Sequence, residues 1–281
     1  MIIGGIRCAT GWILECMREH PQVFGADEET HFFDRNYGRG LRWWEESYFS
    51  GYKGEPIVVE KTANLLSHPL APERIRACIP DARLICSLRD PLSRLYSDYL
   101  RFKYDQRYGI LEACEQHPEI VERCLYGRHL REYLEHFPRD RIMINIYEDR
   151  AADPAAFMRG IYEFVGVRPD FRPSKLDLLI KPGAPELRGL LIKVLYFLQA
   201  PAWAPRFLKS LHYRLRNRYF QALPFTIAEV EALRSFFVED IADLEALIGR
   251  RLNCWLARAP DSPPAQRSSA AVDGKVAGLR R

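Results

Sequence analysis

An alternation constrains this 281-residue chain more than any other feature. Short apolar, β-rich runs at Ile2–Gly4, Ile57–Glu60, Leu84–Leu88 and Ile142–Tyr147 are separated by stretches with helical spacing. Those stretches are Trp12–Glu19, Pro72–Cys78, Pro91–Phe102, Glu119–His136 and Pro154–Val165. The longest helix is expected at Ile227–Ile248, where Val230, Leu233, Phe237, Ile241, Leu244 and Ile248 form one stripe. Pro72 and Pro91 suit a first helical turn, where a missing N–H costs nothing. Short runs without polar alternation read as strands buried on both faces, and helices on either side of a mostly parallel sheet supply that burial. Ligands of such α/β sheets sit at the carboxyl ends of the strands. Chemistry is therefore expected just after Gly4, Glu60, Leu88 and Tyr147.

The content of 47% hydrophobic residues excludes disorder of the whole chain, and the length suits one large domain or two small ones. A formal charge of +4 argues against a nucleic-acid partner while leaving room for a local anion site. No run approaches the roughly 18 apolar residues of a transmembrane helix, and Met1-Ile2-Ile3 has no signal-peptide pattern. Seven scattered cysteines without a CxxC pair suggest free thiols, a cytoplasmic setting and no metal site. Composition breaks after Trp255, so a domain over 1–257 and a disordered tail over 258–281 are expected. The basic, apolar stretch 187–225 suits a polyanion, a lipid-like substrate or a membrane surface; a solvated basic helix face is the plainer alternative. Oligomeric state is not written in the sequence.

Four constellations carry chemistry-bearing residues. In Gly4-Gly5-Ile6-Arg7-Cys8-Ala9-Thr10-Gly11 a strand runs through a glycine-containing loop into a helix, a setting for phosphate or sulfate or simply a strand–helix turn. It lacks the Gly-Lys-Ser/Thr ending of a Walker A loop. In Arg89-Asp90-Pro91 and the helix that follows, Arg89 and Ser97 can face one anion, or Arg89 is solvated and Asp90 a cap. In Glu28-Glu29-Thr30-His31-Phe32-Phe33-Asp34, acids and an imidazole beside aromatics suit a base in a cleft, or an exposed acidic turn. In Glu60-Lys61-Thr62, Lys61 projects into the same crevice or lies on the surface.

Taken in order, Ile2-Ile3-Gly4-Gly5-Ile6-Arg7-Cys8-Ala9-Thr10, His20-Pro21, Glu29-Thr30-His31-Phe32-Phe33-Asp34, Trp43, Glu60-Lys61-Thr62 and Arg89-Asp90-Pro91…Arg94…Ser97-Asp98-Tyr99 resemble the PAPS-dependent sulfotransferases. Within that family they are most similar to the branch of heparan sulfate sulfotransferases and bacterial relatives. The resemblance runs from Ile2 to about Trp255 and is densest up to Tyr99. It implies a P-loop NTPase-like three-layer sandwich, a mostly parallel sheet flanked by helices, that binds 3′-phosphoadenosine 5′-phosphosulfate (PAPS). It also implies that Arg7, Cys8, Ala9, Thr10, Gly11 and Trp12 surround the 5′-phosphosulfate loop, that Arg89 and Ser97 hold the 3′-phosphate, and that Glu29 is the base. His31 and Lys61 would line the sulfuryl centre, and Lys181-Pro182-Gly183 would supply a late loop over the 3′-phosphate. Ala9-Thr10-Gly11 departs from the family's Gly-Thr-Thr or Gly-Thr-Arg, which leaves backbone N–H groups to hold the anion. The implied reaction moves a sulfuryl group from PAPS to a hydroxyl or amine of a carbohydrate or other small acceptor and releases PAP. No metal is implied, since Arg7, Lys61 and His31 supply positive charge. The alternatives are a P-loop-type nucleotide kinase and a catalytically inactive PAP- or anion-binding module.

Overall fold

The computed structural model describes residues 1–101, 109–176, 227–253 and 255. Five short strands, β1 (Ile2–Gly4), β2 (Val23–Gly25), β3 (Ile57–Val59), β4 (Leu84–Leu88) and β5 (Ile142–Ile146), all pair in parallel. The β1-β4-β5 sheet and the β2-β3 pair are joined by a bridge between Ile2 and Lys61. There the Ile2 N–H bonds the Glu60 carbonyl at 2.8 Å and the Thr62 N–H bonds the Ile2 carbonyl at 3.2 Å. The strand order is thus β2-β3-β1-β4-β5. The chain leaves β1 towards one edge, builds β2 and β3, and then crosses to β4 on the other side. The carboxyl end of β1 is therefore a switch point, where this class of sheet opens a crevice.

Helices cover both faces. On one, Ile2, Ile85 and Val59 meet Ile13 and Met17 of α1 (Thr10–Arg18) and the apolar side of a helix at Pro154–Val165. On the other, Ile3, Leu84, Cys86, Leu88 and Ile142 pack in one cluster with side chains of α3 (Ala71–Cys78), α4 (Pro91–Arg101) and the long helix Ile227–Ile248. Alternation along β4 splits its residues between these two cores. Numbered in chain order among the described residues, the remaining α-helices are α2 (Leu41–Tyr48), α5 (Ile110–Gln116), α6 (Glu119–Glu122), α7 (Tyr126–His136) and α8 (Tyr147–Ala152); Pro154–Val165 is α9 and Ile227–Ile248 is α10.

Local chemistry sets the boundaries. Asp90 caps α4, accepting from the Ser93 N–H at 3.0 Å and the Ser93 hydroxyl at 2.6 Å. Asp153 caps α9 through the Ala156 N–H at 2.9 Å, and Gly166 closes α9 in the left-handed conformation. The single helix expected over Glu119–His136 is instead two, α6 and α7. Asp240 of α10 accepts the N–H groups of Gly127 and Arg128 at 2.9 and 2.8 Å, which gives α7 its own start. A Cβ on Gly127 would lie 2.5 Å from the Asp240 carbonyl oxygen, so only glycine permits this docking.

The six described cysteines are unpaired. No described helix is long and apolar enough to cross a membrane. The expected late loop with Lys181 and Gly183, the stretch 187–225 and the tail 258–281 lie outside the described residues.

Candidate active site

Three clusters line the carboxyl edge of the sheet. The first is the loop after β1. A Cβ on Gly4 would lie 2.6 Å from that of Leu66, so glycine lets β1 pass the segment that follows β3. The Gly5 N–H is held by the Ser87 carbonyl of β4 at 2.8 Å. The backbone then turns through left-handed conformations at Arg7 (φ 66°) and Ala9 (φ 64°). Such conformations cost non-glycine residues about 1–3 kcal/mol each and gather at functional sites. Helix α1 begins with the Ile13 N–H bonded to the Ala9 carbonyl at 3.0 Å. The N–H groups of Thr10, Gly11 and Trp12 therefore have no partner within the helix, and a Cβ on Gly11 would meet nothing within 4 Å. An open helix start of this kind attracts an anion.

Helix α4 fixes this loop. The fully buried Arg94 donates from Nε to the Ile6 carbonyl at 3.2 Å and from Nη1 to the Ile120 carbonyl at 3.1 Å, while Nη2 pairs with Asp98 at 2.7 Å. Beside it, Arg7 Nε donates to Ser97 Oγ at 2.8 Å. Cys8 is not a nucleophile here: burial pushes its thiol up to about 12.

The second cluster is the turn Glu29–Asp34 against the end of β3. Glu60 is only 2% exposed. Its Oε1 accepts from Thr30 Oγ1 at 2.9 Å and also from the Thr62 hydroxyl, while Oε2 has no partner. Thr62 Oγ1 in turn accepts the His31 N–H at 3.2 Å, and Thr30 Oγ1 accepts the Phe32 N–H at 3.3 Å. These bonds hold His31 at φ 48° and start one π-helical turn, Phe32–Asn36. Arg74 of α3 clasps the other end, donating to the Phe33 carbonyl at 2.7 Å with its guanidinium 4.8 Å from the Tyr37 ring centre.

That scaffold presents four charged or titratable side chains in a row. One Glu29 oxygen pairs with Lys61, and the other lies 3.4 Å from His31 Nε2. His31 Nδ1 lies 3.0 Å from Asp34. The Asp34 side chain is 2% exposed, Lys61 13% and Glu29 32%. With Nδ1–H donating to Asp34, the imidazole is fixed with Nε2 towards Glu29. Glu28, by contrast, is exposed.

The third cluster joins the ends of β4 and β5. The Arg89 guanidinium lies 4.9 Å from the Tyr147 ring centre, and that of Arg150 lies 4.8 Å from the same ring and 4.9 Å from Trp12. Trp12 is buried and donates from Nε1 to the Lys175 carbonyl at 3.1 Å. Lys175 pairs with Glu15, and Ser174 Oγ donates to Glu19 at 3.0 Å, so the 174–175 segment is clamped along α1.

The expected residues thus fall as follows. Glu29, His31 and Lys61 meet; Arg7 meets Ser97; Cys8 to Trp12 form the loop and the first turn of α1. Arg89 and Ser97 make no hydrogen bond to one another, because Arg89 lies on Tyr147 instead. Sequence reasoning gave no role to Asp34, Glu60, Arg74, Arg94 or Arg150. Asp34 stands three residues from His31, and Arg94 four from Asp98, which are spacings that pair on one helical turn. Glu60 opens the Glu60-Lys61-Thr62 motif after a strand, whereas no motif in the sequence marks Arg74 or Arg150.

A parallel α/β sheet here sets an open helix start beside a carboxylate held between an ammonium and an imidazole, an arrangement suited to group transfer from an anionic donor. The chain belongs to the sulfotransferase family: residues 1–182 match its sulfotransferase domain. It is 33% identical over 183 residues to heparan sulfate glucosamine 3-O-sulfotransferase 3B1 of Mus musculus, covering 60% of this chain and 46% of that protein. It is 32% identical over 179 residues to heparan sulfate glucosamine 3-O-sulfotransferase 6 of Homo sapiens, covering 60% and 52%. The chain spans about half the length of these relatives. A solved sulfotransferase from Alicyclobacillus acidocaldarius shares the fold, with a TM-score of 0.67 at 22% identity over 90% of this chain and 96% of that one.

Proposed function

We propose that this protein moves a sulfuryl group from PAPS to a hydroxyl or amine of a carbohydrate or other small acceptor and releases PAP. The observation that carries the reading is Glu29, a carboxylate set between Lys61 and His31 and one strand away from the anion cradle of β1. Sulfuryl transfer, like phosphoryl transfer, needs in-line placement and stabilisation of charge more than covalent help. The N–H groups at the start of α1, with Arg7, bind the 5′ end of the donor. Arg89 and Ser97 bind its 3′-phosphate. Glu29 takes the proton from the acceptor as the new bond to sulfur forms. Lys61 and His31 offset negative charge on the transferring group and on the departing phosphate oxygen. Asp34 fixes the imidazole, and the turn held by Glu60 and Arg74 fixes Glu29 relative to it. The names of the relatives point to glucosamine in heparan sulfate, so glucosamine-bearing oligosaccharides head the acceptor panel.

The test is radiolabelled transfer from PAPS to that panel, together with a PAP thermal shift. A ligand specific for the native state adds about 2.7 kcal/mol at a hundredfold excess over its Kd. PAP should raise the melting temperature accordingly and adenosine 5′-phosphate should raise it less. Equal shifts from the two nucleotides would remove the 3′-phosphate site, and ATP with magnesium acting where PAP does not would favour a kinase.

A further inference from the structure

Two arginines are buried among the described residues, and they are treated differently. Arg94 is neutralised by Asp98 at 2.7 Å and spends its donors on carbonyl oxygens. Arg150 is 6% exposed, yet it has no carboxylate partner among the described residues. Its Nη2 donates to Tyr147 Oη at 3.2 Å, and its Nε has no hydrogen-bond partner among the described residues. Its remaining support is aromatic, from the faces of Tyr147 and Trp12 at 4.8 and 4.9 Å. A second guanidinium without a carboxylate, that of Arg89, lies 4.9 Å from the same Tyr147 ring.

Burying an unpaired cation costs more than ring contacts return. Placing a second cation on one of those rings adds repulsion. Packing does not call for this arrangement, since an unbranched apolar side chain would fill the space between Trp12 and Tyr147 without an orphaned donor. The arrangement makes sense when an anion completes it. Guanidinium forks match the oxygens of a phosphate monoester, and charge-assisted bonds to it would use the free Nε–H.

We infer that Arg150 is a phosphate-binding determinant which, with Arg89 and around Tyr147, forms a two-guanidinium site for the 3′-phosphate monoester of the donor nucleotide. This rests on the sulfotransferase reading and extends it by a cation from beyond β5. Its unpaired charge destabilises the empty protein and is compensated on binding.

The experiment compares the full chain with its Arg150→Met and Arg150→Lys variants. It measures melting temperature without ligand, and Kd for PAP and for adenosine 5′-phosphate by calorimetry. The Met variant should melt at the same temperature or higher, having lost a buried unpaired charge. Its PAP affinity should fall by roughly 10–100-fold, the scale of a charge-assisted bond, while adenosine 5′-phosphate should bind within about twofold of the unmodified chain. The Lys variant should recover part of the PAP affinity. Unchanged PAP binding by the Met variant, or equal loss for both nucleotides, overturns the inference. Should the Met variant not fold, the Lys variant decides alone: a loss confined to PAP supports the inference, whereas equal losses or none overturn it. If the unmodified chain binds no PAP, the sulfotransferase reading itself falls, and this inference with it.

Discussion

Replacing Glu60 separates the scaffold of the site from its chemistry. In Glu60→Ala the hydroxyls of Thr30 and Thr62 lose their common acceptor. Each buried hydroxyl left unsatisfied costs about 1–3 kcal/mol, so the variant should lose roughly 2–5 kcal/mol of stability. Turnover should fall as well, because the Thr62 oxygen that receives the His31 N–H at 3.2 Å is no longer held. Glu60→Gln keeps an acceptor oxygen and drops the charge. The Glu60 carboxyl is raised above its ordinary value, first by burial and further by the nearby Glu29 carboxylate, against the bonds from Thr62 and Thr30. A raised carboxyl favours the protonated form in the folded state. Its contribution is fully present below the unfolded value of about 4.3 and is lost as pH rises through the folded one. Glutamine has no such loss, so Glu60→Gln should gain on the unmodified protein as pH rises from about 4 towards neutrality. Urea melts of the three proteins across that range are the assay. A glutamine variant that loses ground as pH rises would refute the reasoning.

Other outcomes are expected. Glu29→Gln should cut turnover by roughly 10²–10⁴-fold, as removal of a general base does, with PAP affinity kept; the exposed Glu28→Gln is the control, and near-normal turnover would send the search to His31. Gly127→Ala pushes a methyl to 2.5 Å from the Asp240 carbonyl and should cost about 1–3 kcal/mol in a urea melt; no loss would mean that α10 docks less tightly than its hydrogen bonds imply. Deleting 258–281 should leave the melting temperature nearly unchanged, since the segment offers few large apolar side chains; a drop of several degrees would show that it packs on the domain.

The strands legible in the sequence are the buried ones. All five residues of β4 are buried, and those of β5 are buried or half-buried, so their apolar runs stand out. In β2 only Val23 is fully buried, and its three residues show no period, so no strand is legible there. Helices α2, α5 and α8 are short, and nothing in their spacing marked them. The break between α6 and α7 was invisible because its cause, Asp240, lies 113 residues away from Gly127. The site divides in the same way. The motifs mark Glu29, His31 and Lys61 on separate loops, and long-range hydrogen bonds through Glu60 and Thr62 bring those loops together. The partner of a flexible arginine is set by neighbours that no motif names. Arg89 therefore lies on Tyr147, and Ser97 is taken by Arg7.

The bonds of Arg94 and Arg7 have a mechanical consequence. Two struts now span the gap between the loop after β1 and helix α4, one to the Ile6 carbonyl and one to Ser97 Oγ. A single strut would allow the loop to swivel about it, whereas two adjacent ones resist shear as well as separation. The loop after β1 and the helix that carries Ser97 are thus braced into one plate at two points. The turn with Glu29 is fastened elsewhere, to β3 through Glu60 and Thr62. Hydrogen bonding between plate and turn runs through the two bonds of Ile2 to Glu60 and Thr62. The spacing between the loop after β1 and the turn with Glu29 is thus set at one seam in the sheet, and a change at Ile2 would be felt as misalignment between two intact halves.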